Sequence, residues 1–175
     1  MKNTIIKSIL SLALGCSVAA SAHEGTDHGQ AEAKKSMIEC QISAPGKVKL
    51  GQEIPMDFTL TNTSGKSLEV LRWNTPLEGW FNRYLTITRD GQRVNYQGPM
   101  VKRFRPSQED YSTLSAGQST QATVNLAQGY DMAAIGTYKI VYSGRLHDLK
   151  VAGKEGVKGP TLYSLQCNGL TVVVE

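Results

Sequence analysis

Residues 23 to 28 read HEGTDH: two histidines and two acids, the donor types of a zinc or copper site. The zinc-protease signature H-E-x-x-H sets its histidines four apart. That spacing leaves them about 40° apart around a helix, so both reach one ion and the glutamate between them serves as base. In HEGTDH the spacing is five. On a regular helix this separates the side chains by about 140°. Gly25 and Gly29 disfavour a helix here in any case. The stretch is therefore not a protease zinc site. A second chemistry fits the same residues. Cleavage of a leader after Ala22 would make His23 the N-terminus, and its free amine and imidazole would then chelate copper together. Copper or zinc bound by His23 and His28 is the metal-handling reading of this chain, as a periplasmic metal-binding protein.

No other constellation carries chemistry. The third histidine, His147, is far from the first two in sequence. Three histidines leave little for triad chemistry, and neither a G-x-S-x-G elbow nor a phosphate loop is present. The acids are scattered at turn positions. Outside the metal-handling reading, the residues point to a protein that is not an enzyme and needs no cofactor.

Residues 1 to 22 have the form of an export signal. Lys2 and Lys7 form a basic start, Ile5 to Leu14 an apolar stretch, and Ala20-Ser21-Ala22 a small-residue cleavage site. The apolar stretch is too short to span a bilayer. The protein is expected to be exported, periplasmic or secreted, with lipid attachment at Cys16 as the alternative. Without the two leader lysines, 17 basic residues face 15 acidic ones, a net charge of +2. That is no footprint for nucleic acid, which needs clustered positive charge. Cys40 and Cys167 remain in the exported chain. An oxidising compartment and an even count predict one disulfide between them.

What would position these groups is a set of short strands. Residues 23 to 36 contain no large apolar residue and read as a flexible tail. From Met37 the pattern has period two. Ile54, Met56, Phe58 and Leu60 alternate with polar residues, and Pro55 among the outward positions marks an edge or a strand start. Leu85 and Ile87, then Ala122, Val124 and Leu126, then Tyr138, Ile140 and Tyr142, repeat the signal. Asp90-Gly91-Gln92 is a hairpin turn, and further turns are marked at Ser64-Gly65-Lys66, Gly98-Pro99, Ala116-Gly117 and Gly159-Pro160. Residues 127 to 136 hold at most one helical turn. The chain reads as all-β: a single immunoglobulin-like antiparallel β-sandwich over residues 37 to 175. Tyr138, entering a late strand after Asp131 and Gly136, is the candidate for a corner tyrosine whose hydroxyl reaches back to upstream backbone.

Several longer pieces form an ordered series: NTPLEG at 74–79, RDGQRVNYQGPMVKR at 89–103, Pro106 and Tyr111 around an acidic turn, LSAGQS at 114–119, and YDMAAIGTYKIVY at 130–142. Over residues 73 to 144 this series resembles the N-terminal pro-region of the aspzincin metalloproteases, the deuterolysins and peptidyl-lysine metalloendopeptidases. In that family a protease domain follows, with H-E-x-x-H and G-T-x-D-x-x-Y-G supplying the zinc ligands and base. This sequence reaches Glu175 with neither motif, so no catalytic residue carries over. The resemblance implies a non-catalytic, protease-binding β-sandwich. It would act in trans on an aspzincin-type metalloprotease, as inhibitor or folding chaperone.

For such docking, GPMVKRFRPSQEDY at 98–111 is the candidate surface, with Lys102, Arg103 and Arg105 around Phe104. Lys102 would mimic a substrate side chain, since some members of the family cleave at lysine. Trp73, Leu77, Trp80 and Phe81 either form an apolar docking patch or plug one end of the sandwich. A third reading is an envelope β-sandwich of unknown ligand.

Overall fold

The computed structural model describes residues 36–154 and 162–175. The export signal, Cys16, His23, His28 and the Gly159-Pro160 turn lie outside the described residues. The described residues form one compact unit.

The elements are almost all strands. The first half holds β1 (Ile38–Ser43), β2 (Lys47–Val48), β3 (Pro55–Asn62), β4 (Leu68–Leu71), β5 (Leu85–Arg89) and β6 (Gln92–Val94). The second half holds β7 (Tyr111–Leu114), β8 (Ser119–Asn125), β9 (Gly136–Tyr142), β10 (Arg145–Leu146), β11 (Leu149–Val151), β12 (Tyr163–Ser164) and β13 (Leu170–Val174). A single helical turn, α1 (Leu126–Gly129), follows β8, capped by the Asn125 side chain on the Ala127 N–H.

The strands form sheets ordered β1-β3-β8, β11-β4-β7 and β2-β13-β9-β5-β6, with β10 paired to β12. The ladders are antiparallel except β2 with β13. The period-two reading holds: Ile54, Met56, Phe58, Leu60, Leu85, Ile87, Tyr138, Ile140 and Tyr142 are all buried. Pro55 is the first residue of β3, where a missing N–H costs least, but that strand is the centre of its sheet rather than an edge. Phe58 of β3 stacks on Tyr142 of β9 with ring centroids 5.4 Å apart, so the inner faces of two sheets meet in one core. Asp90 and Gly91 take φ of +48° and +86° between the paired Arg89 and Gln92. Such a two-residue turn suits these residue types, since aspartate and glycine accept positive φ.

Cys40 of β1 is bonded to Cys167, 127 residues on, with Cα atoms 4.7 Å apart. Beside it the Asn168 side chain accepts from the Ile42 N–H and donates to the Ile42 carbonyl, each at 2.8 Å. Bridge and amide together fasten β1 to the approach of the last strand.

Candidate functional site

The NTPLEG turn builds one wall of the site. Thr75 is buried and caps a short 3-10 turn, Pro76–Glu78, with its hydroxyl accepting from the Leu77 N–H and donating to the Arg72 carbonyl. Proline at the first position and Gly79 after the last, at φ +85°, suit the start and stop of such a turn. Asn74 sits at φ +58°, which asparagine tolerates better than most residues. The turn thereby aims the Glu78 carboxylate inward, where one oxygen accepts from the Asn74 N–H at 2.7 Å.

The other wall is the segment after Gly98. Residues 101 to 107 belong to no helix or strand, yet both ends are held. At the start, the Gln97 N–H bonds the Gly129 carbonyl, the Tyr96 hydroxyl donates to the Pro99 carbonyl, and the Val101 N–H bonds the Phe81 carbonyl. At the end, Asp110 accepts from the Ser107 N–H and hydroxyl with one oxygen and from the Trp73 indole at 2.9 Å with the other. These bonds, the Ser107 N–H first, hold the Asp110 carboxyl below its usual range.

In the middle, Arg103 is the clasp. Its guanidinium donates to the second Glu78 oxygen at 2.6 Å and lies 5.3 Å over the Trp73 ring and 5.5 Å over the Phe81 ring. The Glu78 side chain is only 9% exposed, so the pair closes a shielded charge. Between the walls lies a cleft of about 770 Å³ whose floor carries Asn74, Asn82 and His147. Asn82 donates to the Asn74 side-chain oxygen, and Asn74 donates to His147 Nε2 at 2.9 Å. Burial pushes the His147 pKa down, against the opposing pull of Glu78. The neutral ring then has Nε2 as acceptor, as the Asn74 bond requires. Next to it the Tyr111 hydroxyl donates to Asp148 at 2.7 Å, and burial, then this bond, push the tyrosine pKa far up.

The residues singled out in the sequence separate into two groups. Lys102, Phe104 and Arg105 are exposed, Phe104 by 89%, and Arg105 lies 5.4 Å over the Phe104 ring. Arg103 shares the segment but is spent on Glu78. Phe104, Met100 and Val101 form an exposed apolar set along this loop, with exposed Phe81 beside it through the Val101 N–H bond to its carbonyl. Trp80 does not belong to it. Its ring is buried, stacks on Tyr84 at 4.9 Å, donates to the Asn125 carbonyl and covers Gly129. Trp73 is buried as well, and Leu77 packs against the core. The tryptophans plug one end, and the docking role expected of Trp80 is corrected accordingly: an indole packed on both faces cannot meet a partner. Tyr138 does reach back, its hydroxyl donating to the Ala134 carbonyl at 2.7 Å.

Glu78, Asn74, Asn82 and His147 were not read as site residues. The T-P-L-E spacing of a capping box was the available signal for Glu78. Nothing local pointed to its partner 25 residues on. Among the described residues no three His, Cys, Asp or Glu side chains converge as a metal site would need, and no helix is long and apolar enough to cross a membrane.

No family model matches the chain. Sequence relatives do. Over 126 residues, 70% of this chain, it is 35% identical to the extracellular protease of Aeromonas hydrophila, covering 34% of that protein. It is 29% identical over 119 residues to a neutral protease 2 homolog of Arthroderma gypseum, covering 31% of it. A probable neutral protease 2 homolog of Trichophyton verrucosum matches at 29% over 94% of this chain and 41% of its own length. The chain thus spans between about a third and two fifths of the relatives it matches. The resemblance to an aspzincin pro-region accordingly stands on relatives named as proteases, and the chain is similar to a part of those proteins rather than to the whole.

Proposed function

We propose that this chain is an exported, non-catalytic domain that binds an aspzincin-type metalloprotease and inhibits it or assists its folding. The observation that carries the reading is the braced loop. A soluble domain seldom holds several large apolar side chains in water on one short segment without a partner for them. Here Met100, Val101 and Phe104 are so held, beside Phe81 and flanked by Lys102 and Arg105, on a chain similar to part of several proteases. The fold is an immunoglobulin-like sandwich, a reading favoured by the Tyr138 hydroxyl bond to upstream backbone. The domain itself needs no cofactor and hydrolyses no peptide.

The test is a titration of purified Aeromonas hydrophila extracellular protease with the domain, following peptide hydrolysis and binding. Inhibition or binding at micromolar concentrations or below is expected. A folded domain that leaves the protease unbound and fully active at tens of micromolar sinks the proposal, as does casein hydrolysis that copurifies with the domain in zinc.

A further inference from the structure

We propose that β8 is a dimerisation edge: two copies of this chain pair antiparallel through Ser119–Thr123, with Gln121 meeting its own counterpart on a twofold axis. The inference does not depend on the protease-binding reading and uses a strand that reading leaves idle.

The free edge follows from register. β8 ends its sheet, in the order β1-β3-β8. On β1 the Ile42 N–H and carbonyl both bond the Asn168 side chain, so they point away from β3. Main-chain groups alternate sides along an antiparallel strand. Gln41 and Ser43 therefore bond their β3 partners Thr59 and Asp57. That leaves Met56, Phe58 and Leu60 to bond Val124, Ala122 and Thr120 of β8. The flanking bonds agree: the Asn62 N–H donates to the Gln118 carbonyl and the Leu126 N–H to the Ile54 carbonyl. Ser119, Gln121 and Thr123 must then turn their N–H and carbonyl groups outward. Among the described residues no hydrogen bond outside the β3 ladder uses those groups. The Trp80 indole takes the Asn125 carbonyl and so bounds the free stretch at that end. Burial tells the same story. Phe58 and Leu60 are 0% exposed, whereas their β8 partners Ala122 and Thr120, on the same face, stay half-buried.

The edge suits a second copy. Sheet edges are usually blunted by charge, proline or a covering segment. The opposite edge of this sheet, β1, is covered by Cys167 and Asn168. Ser119–Thr123 reads STQAT, with neither charge nor proline. In an antiparallel pair, residues with outward main-chain groups must oppose residues of the same kind. A twofold axis at Gln121 achieves this at each position. Ser119 meets Thr123 of the second copy and Gln121 meets Gln121, each pair exchanging two main-chain bonds. Thr120 then lies opposite Ala122 of the second copy, which covers both half-buried side chains. No like charges oppose one another along the row. The contact is short, so the dimer is a weak, reversible one.

The experiment is sedimentation velocity of the intact protein from about 1 to 500 µM, which brackets a dissociation constant of about 10–100 µM. A monomer–dimer equilibrium is expected. Gln121→Pro removes an outward N–H that the monomer does not use and should weaken dimerisation by about tenfold or more. Gln121→Lys should do the same by setting like charges on the axis. Phe104→Ser, on the exposed loop, should leave dimerisation unchanged. Gln121→Cys should give a disulfide-linked dimer on mild oxidation, because hydrogen-bonded cross-strand pairs hold their Cα atoms about 5.5 Å apart, within disulfide reach. Melting curves establish that each variant folds, and Gln121→Lys reads the same contact should the proline variant not fold. A monomer at every concentration, a dimer undiminished by Gln121→Lys, a dimer lost in Phe104→Ser, or no crosslink through Gln121→Cys would each overturn the inference. Each would leave the protease-binding reading standing, since the protease titration tests that separately.

Discussion

Arg103 and Glu78, 25 residues apart, form an ion pair at 2.6 Å that joins the exposed loop to the NTPLEG turn. The acid is shielded and the guanidinium lies over two aromatic rings. Both conditions favour arginine over lysine, whose ammonium neither stacks nor forks.

Glu78→Gln keeps every basic residue of the loop but removes the charge that holds it. Stability should fall by about 1–3 kcal/mol. Trypsin should cut after Lys102 and Arg103 severalfold faster than in the parent. Unchanged cleavage under native conditions would show that the clasp does not order the loop.

Reduction should lower the melting temperature sharply. In the chain-entropy model a bridge closing a loop of 127 residues is worth about 4–5 kcal/mol, and β1 is held to the last strand through it. Denatured, unreduced protein should have no free thiol among Cys40 and Cys167. Two reactive thiols in protein purified from the exported fraction would refute the pairing outside the cell.

Gly129→Ala should disturb Trp80 rather than the loop. A Cβ at Gly129 would meet the indole at 2.8 Å, closer than packed atoms approach. Overpacking of this kind costs about 1–3 kcal/mol. Tryptophan fluorescence should shift to the red as the ring moves toward water. Binding, when measured well below the melting point, should be little changed, because the proposed docking loop does not include Trp80.

His147 gives the protein an acid-sensitive element. Burial lowers its folded pKa below the ordinary 6.5, so the unfolded chain takes up the proton first. Stability should therefore fall as pH drops below about 6.5, and this loss should stop growing once the folded ring also protonates. His147→Gln removes the titration but not the site's polarity. Melting temperatures of parent and variant, taken from pH 8 to 4, should converge or cross on the acid side. Parallel curves would assign the acid sensitivity elsewhere.

The strands at Ile54–Leu60, Leu85–Ile87 and Tyr138–Tyr142 were legible because strand burial is a local rule: neighbours two apart share a face. The Asp90-Gly91 turn was legible for the same reason, since positive φ selects residue types directly. The disulfide followed from compartment and cysteine count. Exposure of Lys102 and Phe104 also followed from composition, in a stretch bounded by proline with no apolar period.

Tertiary structure alone decided the rest. Whether Trp73 and Trp80 faced water or core depended on which strands closed over them, and aromatic residues serve equally well in either place. Asn62 is a polar residue at the end of β3. In the fold it is fully buried, its amide donating to the Lys66, Leu114 and Ser115 carbonyls. Arg103 and Arg105 are indistinguishable by residue type and local setting, yet Arg103 pairs with Glu78 while Arg105 meets no carboxylate among the described residues. The difference lies in a carboxylate brought up from 25 residues away. Periodicity records only the environment that a residue shares with its near neighbours in sequence. An ion pair or a ring stack is set by distances of a few ångströms between elements that only the completed sheets bring together.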